Sequence, residues 1–144
     1  MRVLIDIGHP AHVHQFRNLI KELENGGHTV SVTVRNKDVA IALLKHYGID
    51  FKVIGETKQT IIKKTLNIMS VNQNLLKHAK QFKPDILIGG SGNFYVSHVA
   101  KLLHKPSFVF EDTEHAKEQI MLYMPFVKKV LTPSCFLDDL GKKQ

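Results

Sequence analysis

Arg2-Val3-Leu4-Ile5-Asp6-Ile7-Gly8-His9-Pro10-Ala11-His12-Val13-His14 carries the main structural signal of the chain. An apolar run stops at a glycine, three histidines follow, and Val13, Phe16, Leu19, Ile20 and Leu23 then recur at helical spacing. The pattern predicts a buried strand, a tight loop and an amphipathic helix, the opening of a βαβ unit. In an open parallel sheet the loop after a strand's carboxyl end borders the ligand crevice. Imidazoles there are placed for chemistry rather than for core packing. The loop at residues 8–14 is therefore the first candidate site.

Working outward, the first helix stops at Asn25-Gly26-Gly27, and the segment from His28 to Val34 alternates through Val30, Val32 and Val34 as a second strand. Asn36 or Asp38 caps a helix carrying Val39, Ala42, Leu43 and Tyr47, which Gly48 ends before a third strand at Phe51-Lys52-Val53-Ile54. A loop at 55–60 leads into a long helix in which Ile62, Leu66, Met69, Leu76 and Ala79 recur up to Phe82. After Pro84, Asp85-Ile86-Leu87-Ile88 forms a fourth strand that stops at Gly89-Gly90-Ser91-Gly92-Asn93, with a helix from Phe94 to Leu103 behind it. Pro106-Ser107-Phe108-Val109-Phe110 is a fifth strand. It ends in the acidic turn Glu111-Asp112-Thr113-Glu114, where Asp112 or Thr113 caps a helix to about Met124. Lys128-Lys129-Val130-Leu131 is the sixth strand.

Strands alternating with helices imply an α/β fold: a doubly wound, Rossmann-like parallel sheet of about six strands with helices on both faces, spanning residues 1–144 as one domain. The natural strand order is 3-2-1-4-5-6, which makes strands 1 and 4 neighbours at the switch point. The histidine loop then faces the glycine loop at 89–93, with the acidic turn at 111–114 one strand further along.

The 144 residues are 43% hydrophobic and 23% charged, as in a globular domain with a proper core. Twenty Lys and Arg against thirteen Asp and Glu give +7, but the lysines are scattered and read as solvated helix faces. No Arg-aromatic interleaving marks a nucleic-acid reader, so no nucleic-acid partner is expected. Cys135 is the single cysteine and excludes an internal disulfide; it reads as a buried or loop thiol. Met1-Arg2 leads into a strand without a signal-peptide pattern, so the expected location is cytoplasmic. No run of 18 apolar residues appears. Membrane contact would be peripheral, with Ile61-Ile62 and Lys63-Lys64 as the candidate patch.

Each converging loop suggests its own chemistry. His9, His12 and His14 suit general acid–base work, with Asp6 as a group to orient one imidazole. A metal is not expected, because Pro10 and the helix start splay the three rings and no fourth-ligand motif accompanies them. Gly89, Gly90, Ser91, Gly92 and Asn93 open a helix whose backbone amides can cradle an anion; the other reading is a tight turn that needs glycine. Glu111, Asp112 and Glu114 either raise one another's pKa or cap a helix. Together with Gly8 and Asp112, the glycine loop supplies the expected ligand contacts. The first turn lacks G-x-G-x-x-G and the second strand ends in Arg35-Asn36 without a ribose-binding acid, which excludes a nicotinamide enzyme. No cofactor is expected.

The segments 6–14, Gly89-Gly90-Ser91-Gly92 and Phe110-Glu111-Asp112-Thr113-Glu114-His115, in that order, resemble the amino-terminal half of the archaeal and bacterial DUF354 proteins, and the resemblance covers essentially the whole chain. Those proteins are similar to two-domain GT-B glycosyltransferases and to UDP-N-acetylglucosamine 2-epimerases. The resemblance implies an acceptor-side domain that supplies a general base from the loop after its first strand. His9, His12 and His14 are the candidates; His12 is favoured because a residue entering the helix can point into the crevice, with His14 close behind. Glu111 lies where the epimerases carry an acid. The implied ligands are a nucleotide-sugar and a glycan or lipid-linked acceptor. The resemblance also implies a carboxyl-terminal domain or partner subunit, for which 144 residues leave no room, so the chain alone is expected to be inactive. The alternatives are half of a UDP-sugar 2-epimerase-like enzyme and a non-catalytic ligand-binding or interaction module.

Overall fold

The computed structural model describes residues 1–36, 38–56 and 61–144, the side chains at 56 and 61–68 excepted. Its centre is β1 (Arg2–Ile7), paired in parallel with β2 (Thr29–Asn36) on one side and β4 (Ile86–Gly89) on the other. β3 (Phe51–Glu56), β5 (Ser107–Phe110) and β6 (Lys129–Leu131) complete a six-stranded parallel sheet in the order β3-β2-β1-β4-β5-β6. The order and the α/β class match the sequence pattern.

Strand periodicity assigns the two faces. Val3, Ile5 and Ile7 point to one side, where they pack with Val13, Phe16 and Ile20 of α1 (Pro10–Asn25) and Ala40 and Leu44 of α2 (Asp38–His46). Leu4 points to the other, against Val71, Leu75 and Ala79 of α3 (Ile61–Phe82) and Val96, Val99 and Ala100 of α4 (Phe94–Leu102). A third cluster joins Val109 and Val130 to Ile120 and Tyr123 of α5 (Lys117–Tyr123). Each fully buried Leu, Ile, Val or Phe contributes about 1.5–3 kcal/mol by leaving water. The two-faced core therefore fixes the sheet against slippage, since a one-residue shift would turn every strand side chain over.

Three details differ from the sequence pattern. The inner stripe of α3 is Val71, Leu75 and Ala79, while Met69 is 58% exposed; spacing alone left the phase of a long, evenly apolar helix open. α1 begins at Pro10, so His12 and His14 lie inside the helix rather than in a loop before it. Pro10 occupies the first turn, where its missing N–H costs nothing, and the extended His9 caps it through Nδ1 accepting from the Ala11 N–H at 3.3 Å. α5 begins at Lys117, five residues after Asp112, so neither Asp112 nor Thr113 caps it. The Ile61-Ile62 and Lys63-Lys64 patch falls on side chains outside the described residues. No helix among the described residues is long and apolar enough to cross a membrane. Cys135 is an exposed, free thiol.

Candidate functional site

Pairing of Asp6 with Gly89 and of Gly89 with Val109 brings the ends of β1, β4 and β5 side by side, so their following loops leave the sheet together. Between them opens a cleft of about 680 Å³ lined by Gly8, His9, His12, Ser91, Gly92 and Asp112. Arg35, Thr113, His115 and Gln119 line it as well. The switch-point crevice expected from the strand order is present.

The histidines separate. His9 is exposed at the cleft, and His12 is buried in its wall with Nδ1 accepting from the Gly8 N–H at 3.2 Å. Because Nδ1 accepts, the neutral His12 ring carries its proton on Nε2. His14, two residues on, projects about 200° around the helix and meets Tyr47 instead, its Nδ1 3.4 Å from the hydroxyl. His14 is therefore not among the cleft-lining residues, a correction that follows from the early helix start. Among the described residues, no group of three or more His, Cys, Asp or Glu is arranged to hold a metal.

Asp6 is fully buried and orients the scaffold. Its carboxylate accepts from Thr33 Oγ1 at 2.6 Å and Asn93 Nδ2 at 2.7 Å, with Arg35 Nη2 at 3.6 Å. Asn93 also donates to the Asp6 backbone carbonyl at 3.0 Å, tying the start of α4 to the end of β1. Asn93 thus braces the floor and is not itself a cleft-lining residue. The Gly8 amide bonds Nδ1 of His12.

Glu111 is also fully buried, with no exposed surface. One carboxylate oxygen accepts from Ser91 Oγ and from the Thr113 N–H at 3.2 Å. The other accepts from Tyr123 Oη at 2.8 Å and the Gly92 N–H at 3.4 Å. The glycine loop thus receives an internal carboxylate where an external anion was expected, and its next two amides turn inward, Asn93 N–H to Gly90 O and Phe94 N–H to Gly92 O. Burial first, and then the hydrogen bond to Glu111, push the Tyr123 hydroxyl well above the usual tyrosine range. The acidic turn does not act as one cluster. Asp112 accepts from the Thr113 hydroxyl at 3.0 Å, and Glu114 accepts from the Leu137 N–H at 2.7 Å.

The glycines are spacers for side chains. A Cβ on Gly90 would sit 2.6 Å from His12 Nε2, and one on Gly89 would sit 2.6 Å from Val96 Cγ2. A Cβ on Gly8 would fall on the Arg35 guanidinium. Gly92 alone of the four has a left-handed backbone, φ +68°. Gly89 and Gly90 therefore support the cleft from behind its lining.

Sequence reasoning passed over Arg35, Gln119 and the cleft position of His115. Arg35 carried a usable signal: it stands in the last two residues of β2, beside β1, on the carboxyl edge of the sheet where ligands bind.

An uncharacterized protein of Methanocaldococcus jannaschii is 28% identical over 131 residues, 91% of this chain and 38% of that protein. Among solved structures, the UDP-GlcNAc 2-epimerase from Neisseria meningitidis bound to UDP-GlcNAc superposes with TM-score 0.71 at 19% identity, over 90% of this chain and 40% of the epimerase. SsfS6, a glycosyltransferase of Streptomyces sp. SF2575, superposes with TM-score 0.65 at 18% identity, over 87% of this chain and 44% of its own. The two structural likenesses establish a shared fold, and this chain spans about two fifths of the length of each of these three proteins. The family model described as protein of unknown function, DUF354, matches residues 1–142, and the chain belongs to that family.

Proposed function

We propose that this chain is the acceptor-side half of a two-domain, sugar-nucleotide-dependent glycosyltransferase, completed by a second α/β domain or subunit that holds most of the nucleotide-sugar. The observation that carries the reading is the cleft at the switch point, where His9 and His12 face Ser91, Gly92 and Asp112 across a space of about 680 Å³. Solved glycosyltransferases and UDP-GlcNAc 2-epimerases of the same fold support it, since more than half of each of the two lies outside the part this chain matches.

In this reaction an acceptor hydroxyl attacks the anomeric carbon, its proton passes to a histidine, and the nucleotide leaves as a diphosphate. His9 is the base. Its exposed ring carries a 3.3 Å cap bond at Nδ1 and borders the cleft, so Nε2 can be presented to the acceptor. His12 acts as a hydrogen-bond donor from Nε2–H, because taking up a proton at Nε2 would require moving the ring proton to Nδ1 and breaking the bond from Gly8. Glu111 works behind the site: two donors on each oxygen leave it no direct part in proton transfer, which disfavours an epimerase-like acid in that loop.

The test uses the chain joined to its completing domain. His9→Gln is expected to lower kcat by about 100-fold or more, the ordinary contribution of a positioned base. His12→Gln, which keeps an N–H near the Nε2 position, is expected to lose less. The opposite ranking would return the base to His12, unchanged turnover in both would remove both histidines as the base, and no turnover by the joined wild type would leave a binding module. The isolated chain is expected to show no turnover of UDP-sugars.

A further inference from the structure

Arg35 is the cation in the lining whose hydrogen-bonding capacity the protein itself leaves incomplete. Its side chain is 17% exposed and opens on the cleft, yet its Nε is buried with no hydrogen-bond partner. The nearest carboxylate oxygen, Asp6 Oδ2, stands 3.6 Å from Nη2, beyond hydrogen-bond range, and already accepts from Asn93, while Thr33 holds the other oxygen. The guanidinium lies 4.8 Å over the Tyr95 ring, and it covers Gly8 so closely that any side chain there would collide with it. A guanidinium stacked on a ring and abutting the bare Gly8 backbone at its Nη2 end is restricted in orientation where it borders the cleft, and its planar set of donors suits a planar oxyanion.

The glycine loop, the anion receptor the sequence suggests, gives its Ser91 hydroxyl and Gly92 amide to Glu111. From this placement we infer that Arg35 is an oxyanion-binding residue, and that the ligand bound in the cleft carries a carboxylate or a phosphate next to its reacting hydroxyl. This deepens the acceptor-side reading and rests on it: the acceptor is an anionic sugar or a sugar phosphate rather than a neutral glycan. Ligand binding would complete the row Asp6, Arg35, oxyanion, giving the half-buried guanidinium partners on both sides.

The probes are inorganic phosphate, glucose 6-phosphate, glucuronate and glucose, added to the whole chain while the Arg35 Nε–H resonance is followed by NMR. Saturable shifts of that resonance with phosphate, glucose 6-phosphate or glucuronate, and none with glucose, are expected. A tighter response to glucose 6-phosphate identifies a phosphate ligand, and a tighter response to glucuronate a carboxylate; either supports the inference. Binding by the variants, which lack that resonance, is read by calorimetry with the same anions: Arg35→Lys keeps the charge beside Asp6 but loses the fork, and is expected to weaken the anion about tenfold. Arg35→Gln is expected to abolish binding, with circular dichroism checking that each variant folds. An Arg35 resonance unmoved by every anion, equal response to glucose and glucuronate, or undiminished binding by a folded Arg35→Lys would overturn it. Those results would make Arg35 a counterion for Asp6 alone and leave the His9 turnover test unaffected.

Discussion

Replacing Glu111 by alanine removes one carboxylate and strands four donors at once, and the order in which they suffer can be worked out from their surroundings. Tyr123 is fully buried, so its hydroxyl would have no water to turn to. Ser91, Gly92 and Thr113 border the cleft and can be rehydrated. An unsatisfied buried donor costs about 1–3 kcal/mol, and each lost bond to a charged acceptor a further fraction. The expected total for Glu111→Ala is about 3 kcal/mol, a fall in Tm of about 10 °C for a chain of this size. Tyr123→Phe removes one donor and leaves the carboxylate three others, so it should cost about 1.5 kcal/mol in the native background. In the Glu111→Ala background the same change removes an orphaned hydroxyl and should be neutral or stabilising. Urea denaturation of the wild type, both single variants and the double variant closes the cycle. An equal cost of Tyr123→Phe in both backgrounds would show that the hydroxyl and the carboxylate are not coupled and would refute the bracing role.

Two other perturbations probe different elements. Gly90→Ala places a methyl 2.6 Å from His12 Nε2; the ring must swing, the Gly8 bond must weaken, and stability should fall by about 1–3 kcal/mol. Nitrogen-15 shifts of His12 report the change, and an unaltered tautomer pattern would count against the close packing. His78 bonds Ser31 Oγ through Nε2 at 2.8 Å, and burial first and the nearby Lys52 second hold its pKa below 6.5. A folded-state pKa below the unfolded one means full stability above pH 6.5 and loss as pH falls through and below that value. His78→Gln should flatten this acid limb in urea melts between pH 7.5 and 5, and a limb of unchanged slope would acquit His78.

The sheet order was legible because each strand is bounded by an unambiguous stop: Gly26-Gly27, Gly48, Pro84 and Pro106 leave few ways to divide the chain. Helix phase was harder. Along α3, apolar residues at 69, 71, 75, 76 and 79 fit more than one face, and only contact with Leu4 and Leu87 selects Val71, Leu75 and Ala79. The start of α5 was misread for a related reason. Acidic residues after a strand look like helix caps, but Glu111 turns inward to Tyr123 and the helix waits until the Ala116 N–H has closed a turn onto Thr113 O.

The site was legible in its loops and not in the directions of its side chains. Which histidine enters the cleft depends on where the helix starts, because two residues reverse a helical side chain but leave an extended one on the same face. Pro10 at the first helical position separates His12 from His14. The roles of the two acids were inverted by the same kind of long-range contact. Asp6 seemed free to orient a ring, yet Thr33, 27 residues away, and Asn93, 87 residues away, share its carboxylate. Glu111 seemed free to donate a proton, yet Ser91 and Tyr123 hold it. Both buried carboxylates hold loops together, so the described lining sets Asp112 against the imidazoles of His9, His12 and His115 and the guanidinium of Arg35. With that balance of charge, the oxyanion of a ligand would rest on Arg35.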